Sequence, residues 1–205
     1  MPKVLTEAQV ASYRRDGFLF PIEVCSLDAA ADLSRNVAAT EAKLGHELMK
    51  RFVLKAHLPF PWLCNLIRNE QLLDAVEDII GPNILCWGTT FFQKPARDPR
   101  FISWHNDTFF YTVKPAETLT AWVAFNDATL ESGCVKYIPG SHAVPLPEQD
   151  FIPHPHNMAP DGRTVRGVDE SKAVPAVLRA GQAAFHHESV VHGSGANHAD
   201  HPRVG

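Results

Sequence analysis

Beyond Pro82 the chain abandons helical spacing and breaks into short segments rich in β-branched and aromatic residues. These cover residues 84–92, 101–105, 119–126, 134–138 and 183–191, separated by Pro, Gly and Asp turns. Parallel strands need long crossover connections, usually helices. None separates these segments, so the pattern predicts an antiparallel sandwich or barrel. The first third reads differently. Thr6-Glu7-Ala8-Gln9 fits a capping box, and Gly17 can close the helix it opens. Phe18-Leu19-Phe20-Pro21 reads as a short strand. Ser26 can cap a helix running through Ala29 to Leu44 and ending at Gly45. Asn69 can cap another, with Leu72, Leu73, Val76, Ile79 and Ile80 as its apolar stripe and Gly81-Pro82 as its stop. The expectation is one domain over residues 1–205, mainly β with N-terminal helices: a helical part over about 1–82 and a β core over about 83–205. The stretch 145–161 carries five prolines and two isolated histidines, His154 and His156, and reads as a long loop of the kind that forms lids.

Composition narrows the function. A chain of 205 residues can bury a core without staples. Hydrophobic residues make up 45% and charged residues 20%, an ordinary globular balance. The net charge is −4 and the cations are scattered, so no nucleic-acid stripe is visible. No apolar run approaches a membrane span and the N-terminus lacks a signal-peptide core. A cytoplasmic protein without nucleic-acid or membrane partners is expected. Cys25, Cys64, Cys86 and Cys134 form no C-x-x-C pair, and buried free thiols are expected.

The chemistry is carried by Ser103-Trp104-His105-Asn106-Asp107 and by His192-Gly193-Ser194, running on to Arg203. Residues i and i+2 of a strand face the same way, so His105 and Asp107 can converge on one ion. A third ligand from another strand would complete two imidazoles and one carboxylate. That set holds iron(II) on one face and leaves the other open. His186, His187 and His192 are all available; His192 is preferred because small residues follow it and permit close approach. His186 and His187 then serve as packing residues or as partners of the ligands. Arg203, eleven residues past His192, offers a planar fork for a carboxylate. Together these suggest a non-haem iron oxygenase using 2-oxoglutarate. His142, His154, His156, His198 and His201 read as surface residues, Gly140 and Ser141 as a turn, and Asn197 as a brace for the loop before Arg203.

The chain resembles the phytanoyl-CoA dioxygenase family of iron(II)/2-oxoglutarate oxygenases over nearly its whole length. The resemblance rests on Leu5-Thr6-Glu7-Ala8-Gln9-Val10, Arg15-Asp16-Gly17-Phe18-Leu19, Trp104-His105-Asn106-Asp107 and Thr120-Ala121-Trp122-Val123-Ala124. It continues through Glu131-Ser132-Gly133-Cys134, Ile138-Pro139-Gly140-Ser141-His142, His187, His192-Gly193-Ser194, Asn197 and Pro202-Arg203. It implies a double-stranded β-helix (jelly-roll, cupin-like) core. It implies Fe(2+) held by His105, Asp107 and His192, and 2-oxoglutarate bound by Arg203, with Ser194, Trp122 and Gln93 adding contacts. The implied reaction is hydroxylation of an unactivated C–H bond of a small organic substrate by O2, with 2-oxoglutarate decarboxylated to succinate.

Two features qualify that expectation. Ile84-Leu85-Cys86-Trp87-Gly88 resembles bacterial relatives labelled chlorinating enzymes, but a halogenase vacates the carboxylate position, which here is Asp107. A non-catalytic metal- or small-molecule-binding barrel and a hydrolytic zinc site also compete with the hydroxylase. In the family the Arg opens a strand that continues; here the sequence reads Arg203-Val204-Gly205, so a shortened strand and an exposed edge are expected.

Overall fold

The computed structural model describes residues 2–50, 54–108, 118–145, 147–159 and 161–205. Its N-terminal helices begin and end where the sequence marks them. Helix α1 (Glu7–Asp16) opens on a capping box in which Thr6 Oγ accepts the Gln9 N–H and Gln9 Oε1 accepts the Thr6 N–H. Helix α2 (Leu27–Leu44) is capped by Ser26. The short α3 (Pro61–Leu66) adds to the expected elements. It has Pro at its first position, where the missing N–H costs nothing, but it is too short to show a periodic stripe. Helix α4 (Glu70–Ile80) is capped by Asn69.

Two antiparallel sheets follow. The first is built from β1 (Phe18–Glu23), β8 (Gln182–His187) and β3 (Leu119–Val123), in that spatial order. The second is built from β2 (Ile102–His105), β9 (His192–Ser194), β4 (Val135–Tyr137) and β7 (Val174–Pro175), again in that order. Successive strands β2, β3 and β4, and later β7, β8 and β9, alternate between the sheets, which is a jelly-roll path. Alternation along each strand divides the core. Leu19, Ile22, Ala183, Phe185 and Val123 pack outward against Val10, Tyr13, Leu33, Val37 and Leu72 of the helices. Phe18, Trp122, Ala124 and Ala184 point inward and meet Cys134 and Tyr137 of the second sheet. Strand β8 is thus covered on both faces, which explains its unbroken apolar run Ala183-Ala184-Phe185. No helix among the described residues is long and apolar enough to cross a membrane.

Four expectations need correction. The run 183–191 is two strands rather than one: a turn closed by Val190 N–H to His187 O separates β8 from β9 and sends them to different sheets. Residues 84–92 form no strand. Ladder pairing begins only where Phe92 N–H meets Gly205 O and where Lys94 and Arg203 exchange both backbone bonds. The stretch 145–161 is not all loop. Strands β5 (Gln149–Phe151) and β6 (Arg163–Val165) form a hairpin, and Phe101 bonds to His156 O and Met158 N–H, so the segment is tied to the start of β2. All four cysteines are free as expected, but Cys86 is exposed and Cys134 alone is fully buried.

Gly133 and Gly45 have matching left-handed backbones, at φ +71° and +72°, in different surroundings. A Cβ on Gly45 meets nothing within 4 Å; on Gly133 it would lie 2.5 Å from Gly195 O and 2.6 Å from Ala196 O. Gly45→Ala is therefore expected to cost only the left-handed penalty of about 1 kcal/mol, or about 2–4 °C in melting temperature. Gly133→Ala must also displace backbone and is expected to cost severalfold more. Thermal melts compare them; equal shifts would mean that the 195–196 backbone yields freely.

Candidate metal centre

The pairing of β9 builds the centre. His105 on β2 lies directly opposite His192 on β9, and Tyr137 on β4 lies opposite His192 on its other side. Directly opposed residues share a face, so His105, His192 and Tyr137 form one row on the inner face of the second sheet. Thr120, His186 and Phe18 form the facing row on the first. The His105 and His192 rings lie 4.2 Å apart, centroid to centroid. Asp107 follows β2, its N–H held by Glu188 O at 2.7 Å. Its Oδ1 is 3.7 Å from His105 Nε2 and 3.8 Å from His192 Nε2. One ligand atom from each of the three lies within 4.8 Å of the others.

Hydrogen bonds orient all three groups. His105 Nδ1 lies 2.8 Å from Ser103 O and His192 Nδ1 lies 3.0 Å from Val190 O. A carbonyl only accepts, so each Nδ1 carries the proton and each Nε2 lone pair faces Asp107 Oδ1. The other carboxylate oxygen is engaged elsewhere: Oδ2 lies 3.2 Å from His186 Nε2 and accepts from Thr120 Oγ at 3.3 Å. Tyr137 Oη lies 3.1 Å from His186 Nδ1. With His186 donating to the carboxylate through Nε2, its Nδ1 accepts from the tyrosine. Asp107 therefore offers one oxygen to the site and keeps the other on the first sheet. Two imidazole nitrogens and a single carboxylate oxygen are a donor set that suits iron(II).

A cationic region lies deeper on the same inner face. Lys94 and Arg203 are cross-strand partners and both are fully buried. The Arg203 guanidinium lies 5.2 Å from the Trp122 ring centre, and none of its three nitrogens has a partner among the described residues. Ser194 shares the face of His192 and accepts from Lys94 Nζ at 2.7 Å. An unpartnered buried guanidinium suits a carboxylate.

The family model for phytanoyl-CoA dioxygenase (PhyH) matches residues 1–205. The chain belongs to the phytanoyl-CoA dioxygenase family. Members of this family use iron(II), 2-oxoglutarate and O2. The chain is 38% identical over 115 residues to phytanoyl-CoA dioxygenase domain-containing protein 1 of Mus musculus, a match covering 52% of this chain and 39% of that protein. It is 28% identical over 132 residues to the peroxisomal phytanoyl-CoA dioxygenase of Homo sapiens, covering 62% and 39%. The matched region thus spans well under half of these relatives. Among solved structures it resembles the apo non-heme monooxygenase ThoJ at TM-score 0.79 and 28% identity, over 96% of this chain and 74% of that one. It also resembles SnoN, described as a non-heme alpha-ketoglutarate-dependent epimerase of nogalamycin biosynthesis, at TM-score 0.76 and 25% identity, over 97% and 78%.

Of the residues that the family resemblance singles out, His105, Asp107 and His192 come together, as do Arg203, Trp122 and Ser194. Gln93 is placed differently. It alternates with Lys94 and lies across from Val204, which packs in the helix-side core, so alternation turns its side chain away from the inner face. Lys94 has the inward position instead. A lysine one residue from a predicted contact is readable only once its pairing with Arg203 is known. His187 gives its N–H to Gly17 O and its ring neighbours His142 at 5.5 Å, outside the triad. His154, His156, His198 and His201 are exposed, as expected, whereas His142 is only half-exposed, with its Nε2 3.1 Å from Arg14 O. Gly140 and Ser141 form the expected turn, and Ser141 Oγ also accepts the Val191 N–H. Asn197 braces its loop by donating to Lys94 O, Pro95 O and His201 O.

Burial and, next, the neighbouring histidine charge lower the pKa of His105 and of His192 from 6.5 to about 4. Both are neutral at pH 7, as ligands must be. Burial opposes ionisation of Asp107, but His192, His186 and His105 outweigh it and hold the carboxyl below its usual value. The unfolded histidines bind protons near pH 6.5 and the folded ones only near 4, so acid favours unfolding across that window. Metal-free protein should lose stability as pH falls from 6.5 to 4, with Asp107 adding further loss below its ordinary 3.8. Urea melts across this range check it, and His105→Asn should flatten the first slope. A stability constant from about pH 7 down to about pH 4 would contradict the assignment of buried neutral imidazoles.

Proposed function

We propose that this chain is an iron(II)- and 2-oxoglutarate-dependent oxygenase that hydroxylates an unactivated C–H bond of a small organic substrate. The observation that carries the reading is the unpartnered, fully buried Arg203 guanidinium on the same inner face as the His–Asp–His cluster. A lone buried cation is costly; a carboxylate-bearing co-substrate removes that cost and is fixed in orientation by the planar fork. His105 Nε2, Asp107 Oδ1 and His192 Nε2 would hold the metal. Bound iron would couple O2 activation to decarboxylation of 2-oxoglutarate, giving succinate and CO2. The protein's part is geometric. Asp107 stays single-toothed because His186 and Thr120 occupy its second oxygen. Arg203 and Ser194 would anchor the far end of the co-substrate, and Trp122 closes that end against water.

Hydroxylation is favoured over halogenation because Asp107 fills the position that chloride would need. A zinc hydrolase is disfavoured because His186 is engaged by Asp107 and Tyr137 by His186, so neither is free to act as a base. With a net charge of −4 and no basic cluster for CoA phosphates, a small metabolite is the favoured substrate class.

Iron analysis and succinate release test the site together. Asp107→Ala and His192→Ala should lose bound iron and succinate release, whereas His187→Ala should keep both. His186→Phe should retain the site with iron affinity about 10–100-fold weaker. Full iron occupancy in Asp107→Ala, or loss with His187→Ala alone, would overturn the triad. Arg203→Lys keeps the charge without the fork, so KM for 2-oxoglutarate should rise about tenfold or more while that for the substrate changes little. An unchanged KM would place the carboxylate elsewhere.

A further inference from the structure

We infer that Lys94 is a positioning residue for the co-substrate's far carboxylate, turning Ser194 into a hydrogen-bond donor toward the same anion that Arg203 takes. The inference rests on the reading that Arg203 binds 2-oxoglutarate. Lys94 lies directly across from Arg203 in an antiparallel bridge, so both side chains enter from one face. Both are fully buried, and neither ends on a carboxylate among the described residues. Asp98, whose charge acts on both cations, is taken by Arg100 at 2.7 Å. The two contacts of Lys94 Nζ are Ser194 Oγ at 2.7 Å and Gly195 O.

Lys94 Nζ donates to Ser194 Oγ, and a hydroxyl has one proton of its own. With one lone pair held by Lys94, that proton is free to turn toward a ligand. Ser194 sits two residues from His192, on the face directed at the centre, and is itself fixed opposite Ile102 on one side and Val135 on the other. The second contact, to Gly195 O, holds the chain just past β9 in register with the bridge. Burial lowers both cations, Lys94 to about 7 with Arg203's charge as the next cause, and Arg203 to about 10. Two such groups side by side repel until an anion comes between them, which makes the pair selective for a ligand carrying a second negative charge.

The test compares two keto acids that differ only in the far carboxylate, 2-oxoglutarate and 2-oxopentanoate. Each is titrated calorimetrically into oxygen-free protein loaded with iron(II), and the affinity ratio is the readout. The unsubstituted protein should favour 2-oxoglutarate strongly. Lys94→Met should lower that ratio about tenfold or more, the size of a charge-assisted hydrogen bond, with iron content and 2-oxopentanoate affinity retained. Ser194→Ala should lower it comparably, and the double variant no further than Lys94→Met alone. A purely structural role for Lys94 would weaken both keto acids equally and leave the ratio intact, which overturns the inference. So do additive losses, or an unchanged ratio in Ser194→Ala; the latter needs no alteration of Lys94 and stands even if Lys94→Met does not fold. Arg203→Met separates the two levels: if it leaves the ratio unchanged, the 2-oxoglutarate assignment itself fails.

Discussion

Strand β9 is three residues long, and its pairing with β2 on one side and β4 on the other determines the rest of the interior. That pairing sets His192 between His105 and Tyr137 and puts Ser194 one inward step further along. Gly193 between them eases the close approach. A Cβ there would come 3.0 Å from Ile102 O, tighter than a side chain normally sits against backbone. The two imidazoles are thus brought together by backbone hydrogen bonds that exist without any metal. Asp107 is then aimed by His186 and Thr120 from the opposite sheet, so the three donor atoms are fixed by both layers of the sandwich rather than by a single loop.

Charge is distributed in the interior with equal economy. One end holds a carboxylate surrounded by three histidines; the other holds two cations without a protein counter-ion among the described residues. Each end alone would be expensive to bury. Both become reasonable if the protein's working state includes a metal cation at the first and a carboxylate at the second. A buried guanidinium without a partner among the described residues, and a carboxylate with only one oxygen engaged, are what two such ligand sites would look like. On the proposed reading they would hold a divalent cation and an anion on one inner face, the two ligands that the family uses as iron(II) and 2-oxoglutarate.

Much of this is legible in the residues. Caps at Thr6, Ser26 and Asn69 mark helix starts because they are local hydrogen bonds, and the H-x-D spacing brings His105 and Asp107 together although Asp107 lies in a bend past the end of β2 rather than on the strand that alternation assumes. The features that the residues do not disclose are the non-local ones. Residues 183–191 look like one strand because apolar residues stand at both ends, Ala183-Ala184-Phe185 and Val190-Val191; only pairing reveals that the chain changes sheets at 188–191. Lys94 carries no signal of its own, since a lysine in sequence is most often a solvated one, and its value comes from standing opposite Arg203. Without that pairing, the residues single out Gln93 and pass over its inward-facing neighbour. The hairpin of β5 and β6 is hidden by the prolines in the connection between its strands.

The central claim is that one metal sits between the sheets on His105 Nε2, Asp107 Oδ1 and His192 Nε2. Anomalous scattering at the iron edge from crystals loaded with iron(II) and 2-oxoglutarate under exclusion of oxygen tests it most directly. The account predicts a single strong peak about 2.0–2.2 Å from those three atoms, with Asp107 Oδ2 still on His186. A peak bound instead through His186 or His187, a carboxylate gripping the metal with both oxygens, or no peak at this place would contradict it.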